Sequence, residues 1–158
     1  MMAKPLDQFG GWLKFFYVGH LVCIIYLVGA SLIYALAIFA VGGGSKAMLV
    51  LIGLLHSIIT VILCIKIVKI LKIKELDTPQ KVVKIMTWLV ILAVIFAFCN
   101  ILIYSFNDIP EVEDYSGLDR LARTVFRVIG AIIGYAIWKS YFKKSKRVIA
   151  YYGINKES

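Results

Sequence analysis

Acidic residues are scarce in this sequence. Nine Asp and Glu stand against eighteen Lys and Arg, and none of the nine falls inside a long apolar run. No pair of carboxylates is therefore placed within the apolar body of the chain for acid–base chemistry. Other catalytic signatures are missing too. There is no H-E-x-x-H, no G-x-S-x-G and no glycine loop of phosphate-cradling form, so metalloprotease, serine hydrolase and nucleotide-binding readings lack their motifs. The three cysteines, Cys23, Cys64 and Cys99, lie in apolar runs without C-x-x-C spacing, which indicates neither a disulfide framework nor a metal site. No cofactor is expected. The start, Met1-Met2-Ala3-Lys4-Pro5, offers no short apolar stretch ending in a small-residue cleavage site, so no cleavable leader is expected.

What the chain has in abundance is apolar sequence. Hydrophobic residues make up 61% of 158 positions, well above the ~45–50% of soluble domains. Mean hydropathy is +0.89. The surplus is concentrated in four runs, at about 12–41, 47–70, 85–106 and 120–142, each near or beyond the ~20 residues needed to cross a bilayer as a helix. The expected fold is a single all-α domain, an integral membrane four-helix bundle. A net charge of +9 could suggest nucleic acid, but the lysines flank apolar runs, which points to lipid headgroups and not to nucleic acid.

Loop charge sets the expected topology. Lys66, Lys69, Lys72, Lys74, Lys81 and Lys84 surround the second loop, whereas Asp108, Glu111, Glu113, Asp114 and Asp119 occupy a third loop without basic residues. By the positive-inside rule the lysine-rich loop and both termini are cytoplasmic. Gly42-Gly43-Gly44 gives a tight first turn, and Thr78-Pro79 suits a helix start with Thr78 as cap. Trp12, Trp138, Lys146 and Arg147 are the expected interface anchors.

The fourth run carries the sharpest clue. Only eleven uncharged residues separate Arg127 from Lys139, too few to cross ~30 Å of hydrocarbon at ~1.5 Å per residue. A spanning fourth helix therefore holds Arg127 inside the membrane, where arginine faces a bundle interior, a cavity or a partner. Because lipid provides no hydrophobic drive for helix association, small and polar residues should mark the packing faces. At helical spacing these are Gly19, Cys23, Tyr26 and Ala30; Gly53, Ser57, Thr60 and Cys64; Ala93, Ala97, Asn100 and Tyr104; and Arg123, Arg127, Gly130 and Gly134. Gly130 and Gly134 form a G-x-x-x-G pair suited to close backbone approach.

Counted from the outer ends of the runs, Tyr34, Asn100 and Arg127 lie level, ~10 Å in. Tyr104 and Arg123 stand nearer the surface and His56 nearer the midplane. The expectation is an outward-facing polar pocket centred on Arg127, floored by His56, with Tyr34 and Asn100 accepting from the guanidinium. The plainer alternative has Arg120 and Arg123 as interfacial charges paired with the acidic loop and Arg127 snorkelling outward. His20 is expected to be a packing or interfacial residue.

The two ends of the chain carry a resemblance. Gly10-Gly11-Trp12-Leu13, four spans, and Tyr141-Phe142-Lys143-Lys144-Ser145-Lys146-Arg147-Val148 resemble the YdgK-like family of bacterial inner-membrane proteins, a domain of unknown function. The resemblance implies a four-helix inner-membrane domain with the two end motifs as cytoplasmic-side anchors. It brings no activity, cofactor or ligand.

Three functions compete on the sequence. The favoured one is a non-enzymatic assembly or binding module with membrane lipid, a second copy or another membrane protein as partner. The alternative is a small transporter or channel subunit with an anion or polar-ligand site at Arg127, although no internal repeat or broken helix is visible. An intramembrane enzyme using Cys99, His56 or Tyr104 is disfavoured, since Cys99 and Asn100 point ~100° apart on one helix.

Overall fold

The computed structural model describes residues 9–40, 43–106 and 117–153, apart from the side chains of Phe106, Leu118 and Arg120. Most of the acidic third loop therefore lies outside the described residues. The chain forms α1 (Trp12–Ala40), α2 (Gly44–Ile70), α3 (Thr78–Phe106), α4 (Gly117–Lys144) and the short α5 (Lys146–Tyr152). Among the described residues there is no strand.

The first four helices are long and apolar enough to cross a membrane. At ~1.5 Å per residue, helices of this length exceed a ~30 Å hydrocarbon layer. Their outward faces are apolar as well: Ile25 is 74% exposed, Phe39 90% and Phe126 71%. Apolar surface on this scale suits hydrocarbon and not water. This is the make-up of a multi-pass, all-α membrane protein.

Element boundaries follow backbone chemistry more than hydropathy. The first turn needs glycine, because Gly43 and Gly44 have φ of 100° and 72°, a region costly for other residues. α3 starts at Thr78 and not near Ile85, since backbone hydrogen bonds continue through Lys81 and Lys84 and their long stems reach the interface. The expected capping by Thr78 is corrected. The Asp77 carbonyl accepts the first helical bond from Lys81 N–H at 3.0 Å, while the Thr78 hydroxyl donates backward to the Ile73 carbonyl at 3.0 Å. Thr78 thus ties down the preceding loop. Lys81 Nζ also holds Glu75 at 2.8 Å and Asp77 at 2.9 Å. Its hydrogen bond keeps the Asp77 carboxyl below the usual carboxylate range. A depressed folded-state value stabilises above the ordinary carboxylate range and is lost as pH falls through it. At this exposed site the effect is small.

Each long helix packs on its sequence neighbour, α1 on α2, α2 on α3 and α3 on α4, and α5 folds back against α3 and α4. The core sits at the lysine-rich end. Leu13, Ile67, Leu71, Val82 and Val148 are fully buried there, with Phe16, Met86 and Phe142 around them. Helix α1 meets α4 at this end through aromatic rings: Phe16 lies 4.5 Å from Trp138 and 5.1 Å from Phe142, and Trp12 lies 6.2 Å from Trp138.

The two end motifs come together here. Leu13 and Val148 share the core, and Gly11, at φ 58°, lies beneath the Arg147 side chain, whose Nε would be 3.5 Å from an added Cβ. Trp12 and Lys146 are exposed, whereas Trp138 and Arg147 are half-buried. Tyr152 reaches across the base to donate to the Leu71 carbonyl at the end of α2, at 2.8 Å. Burial pushes its phenol well above the ordinary range. Tyr152→Phe is expected to cost about 1–3 kcal/mol, the penalty of a buried carbonyl left without its donor. Because the raised value makes ionisation of the folded state unfavourable, the wild type should lose stability as pH rises above about 10, and Tyr152→Phe should lose less. Denaturation curves at neutral and alkaline pH check both.

The expected packing faces are met to different degrees on the four helices. On α2, Gly53, Ser57 and Cys64 are buried and Thr60 half-buried. Ser57 satisfies its hydroxyl on the Gly53 carbonyl at 2.9 Å. On α3, Ala93, Ala97 and Asn100 are half-buried, but Tyr104 of the same expected face is exposed. On α1, however, Gly19 has nothing near it and Tyr26 is 74% exposed. The inward stripe keeps Cys23 and Ala30 and runs through Leu13, Phe16, His20, Leu27 and Tyr34, with His20 bonded through Nδ1 to the Phe16 carbonyl at 2.9 Å. On α4 the G-x-x-x-G expectation is corrected within the chain: an added Cβ at Gly130 or Gly134 would meet nothing within 4 Å. α4 approaches α3 through larger groups such as Tyr135, whose hydroxyl lies 3.0 Å from that of Thr87.

Candidate functional site

Away from the lysine-rich core the bundle opens into a cavity of about 690 Å³. All four long helices contribute to it. Tyr34 comes from α1, His56 from α2, Asn100 and Tyr104 from α3, and Arg123 and Arg127 from α4. These are the six residues singled out on sequence as pocket residues, and the fold brings them to one space.

Each is placed by local packing. Tyr34 lies flat on α2 because Gly53 has no side chain; a Cβ there would stand 2.9 Å from the ring. His56 stacks on Phe96 of α3, with ring centroids 4.2 Å apart and planes 17° from parallel. This stack joins α2 to α3 and leaves the imidazole edge without a hydrogen-bond partner among the described residues. Arg123 and Arg127 stand one turn apart on α4, so their side chains share a face.

One part of the expected geometry does not form. Asn100 gives its Nδ2 to the Phe96 carbonyl of its own helix at 2.7 Å, the local bond that polar side chains adopt in apolar helices. Among the described residues neither Asn100 nor Tyr34 bonds to Arg127, and Arg127 has no hydrogen-bond or ion-pair partner. Tyr104, Arg123 and Thr124 do engage other groups. Cys99 is half-buried and does not line the cavity. Arg120 lies outside the described side chains.

No family model matches the chain, and no curated protein or solved structure is detectably similar to it. The reading of the site therefore rests on its chemistry.

That chemistry is cationic and donor-rich. Two guanidiniums, four hydroxyl-bearing residues, Tyr34, Tyr104, Ser105 and Thr124, and the Asn100 amide line the space, with no acidic residue among the described lining. The rest of the wall is apolar, chiefly Ala93, Phe96, Ala97, Ile101, Leu121 and Val128. Phe96, Ile101, Ser105, Leu121, Thr124 and Val128 were not singled out on sequence. Phe96 and Thr124 sit one turn from Asn100 and Arg127 respectively, so the same three-and-four spacing reaches them. Their signal was weak because large apolar residues mark lipid and cavity walls alike.

Proposed function

We propose that this protein is a membrane-embedded, non-enzymatic binding module that holds an anionic ligand in the cavity around Arg127. The observation that carries the reading is convergence. Tyr34, His56 and Arg127, from three different helices, present to one space polar groups that have no hydrogen-bond partner among the described residues. In an apolar surrounding each such group is costly unless water or a ligand meets it. With two arginines and no acid in the described lining, an anion gains the most. The size falls in the ~300–1,000 Å³ range of ligand sites. A binding role fits better than a conduit, because the lysine-rich end beneath the cavity is filled by fully buried side chains.

In this reading the lysine-rich end faces the cytoplasm of a bacterial cell, as loop charge favours. The cavity then opens outward. Membership of the YdgK-like family, carried by the two end motifs, belongs to the same proposal. Its support is that Leu13 and Val148, one from each motif, share the core.

The test is a thermal-unfolding screen of the purified chain in detergent against phosphate- and carboxylate-bearing compounds. A true ligand at one hundred times its Kd stabilises by about 2.7 kcal/mol. That shift should disappear in Arg127→Gln and persist in Lys143→Gln. No stabilising anion, or a shift indifferent to Arg127, would overturn the proposal.

A further inference from the structure

The geometry points to an anionic amphiphile as the ligand: a phosphate or carboxylate held by Arg127 and Arg123, with an acyl chain along the apolar wall. The inference rests on the cavity being an anion site and adds what carries the charge.

Charge alone would suit a free inorganic ion, but the wall does not. Ala93, Ala97, Ile101, Leu121 and Val128 line the same space as the arginines. A small anion would satisfy the guanidiniums and leave that surface against water. A chain of methylenes would cover it and take that apolar wall out of contact with water. Small side chains at Ala93 and Ala97, one turn apart on α3, leave room for such a chain along the helix.

Position supports the same ligand. Arg127 is exposed on an apolar helix, and its sequence neighbours Val125, Phe126 and Ile129 are exposed large hydrophobic residues. The guanidinium is therefore within a helix width of lipid. The ring contacts joining α1 to α4 involve Trp12, Phe15, Phe16, Trp138 and Phe142, all at the lysine-rich end. Elsewhere α1 and α4 are not packed on each other, which leaves their seam as a route by which a lipid would reach the cavity without leaving the membrane. Such a ligand meets Arg127 at its own depth, which removes the need for the arginine to snorkel.

The experiment is native mass spectrometry of the full chain in detergent, titrated with phosphatidylglycerol, phosphatidylcholine and inorganic phosphate in separate series. Variants are Arg127→Gln, Ala97→Phe to fill the wall, and Lys143→Gln/Lys144→Gln at the basic rim, each first checked for an unchanged cooperative melt. Arg127→Lys serves where Arg127→Gln fails to fold. The expected result is one phosphatidylglycerol retained about tenfold or more tightly than phosphatidylcholine. That preference should be lost in Arg127→Gln, and binding weakened in Ala97→Phe, with the rim variant unaffected. Inorganic phosphate should bind no more than weakly.

Arg127-dependent binding of inorganic phosphate without the lipid would overturn the amphiphile and leave the anion site standing. Phosphatidylglycerol binding that follows the rim lysines and ignores Arg127 and Ala97 would overturn the inference, since the lipid would then be a surface annulus. Binding of no anion at all would overturn this inference and the proposed function together.

Discussion

Leu13→Ala is expected to lower the stability of the bundle by about 2–5 kcal/mol, the cost of a cavity at a fully buried site. Leu13 is fully shielded although it lies only one residue into the first helix. The buried cluster it belongs to includes residues from the far end of the chain. Val148 is equally buried, and Phe142 and Tyr152 belong to the same cluster. Val148→Ala should therefore weaken the protein too. Because the two residues share one core, the double variant should depart from additivity by ~0.5–3 kcal/mol. Leu36→Ala, on the 71% exposed outer face of α1, should change stability by no more than about 0.5 kcal/mol. Denaturant titration of the wild type and the four variants in one detergent makes the comparison. Additive losses, or equal losses at Leu13 and Leu36, would mean that the ends of the chain do not meet.

That core was only half legible. The motifs that hold Leu13 and Val148 stand out as sequence, but their meeting depends on α5 folding back after Lys144. Tyr152 reaches a carbonyl 81 positions earlier, and no local spacing encodes such a contact. The four long helices were legible because a bilayer sets their length and composition directly. Which face of each helix turns inward was legible only where polarity or size broke the apolar background. On α2, Ser57 and Gly53 did so. On α1 the rule of small residues selected Gly19, while the structure buries Leu13 and Phe16, because leucine and phenylalanine suit a core and lipid equally.

The site was more legible than the core, for a related reason. Arg127, His56 and Asn100 are costly in hydrocarbon, so each must find a protein-lined space. Counting depth along the runs puts Arg127 and Asn100 level, with Tyr34, and His56 nearer the midplane. The hydrogen bonds between them could not be counted in the same way. Asn100 has a nearer acceptor in its own helix, and Tyr34 is placed by a contact between rings and backbone that no polarity pattern reveals.

That contact yields the second large effect. Gly53→Leu is expected to displace Tyr34 and close much of the cavity, reducing anion binding about tenfold or more and costing about 1–3 kcal/mol as overpacking. Even the Cβ of Gly53→Ala would lie 2.9 Å from the Tyr34 ring, so the ring must tilt, and the open space beside it is the cavity. The smaller change should cost less than the larger one. The companion Tyr34→Ala/Gly53→Leu should recover stability, because the obstructing ring is gone, without recovering any binding that Tyr34 contributes. Gly130→Ala and Gly134→Ala supply the contrast. With nothing within 4 Å of either position, both should be neutral or stabilising by up to ~1 kcal/mol through helix propensity. Binding and melting measured across this set separate two uses of glycine that look alike in sequence. Should Gly53→Leu bind and melt as wild type, Gly53 does not seat Tyr34. A loss at Gly130 or Gly134 would move the close helix approach to a contact with another chain.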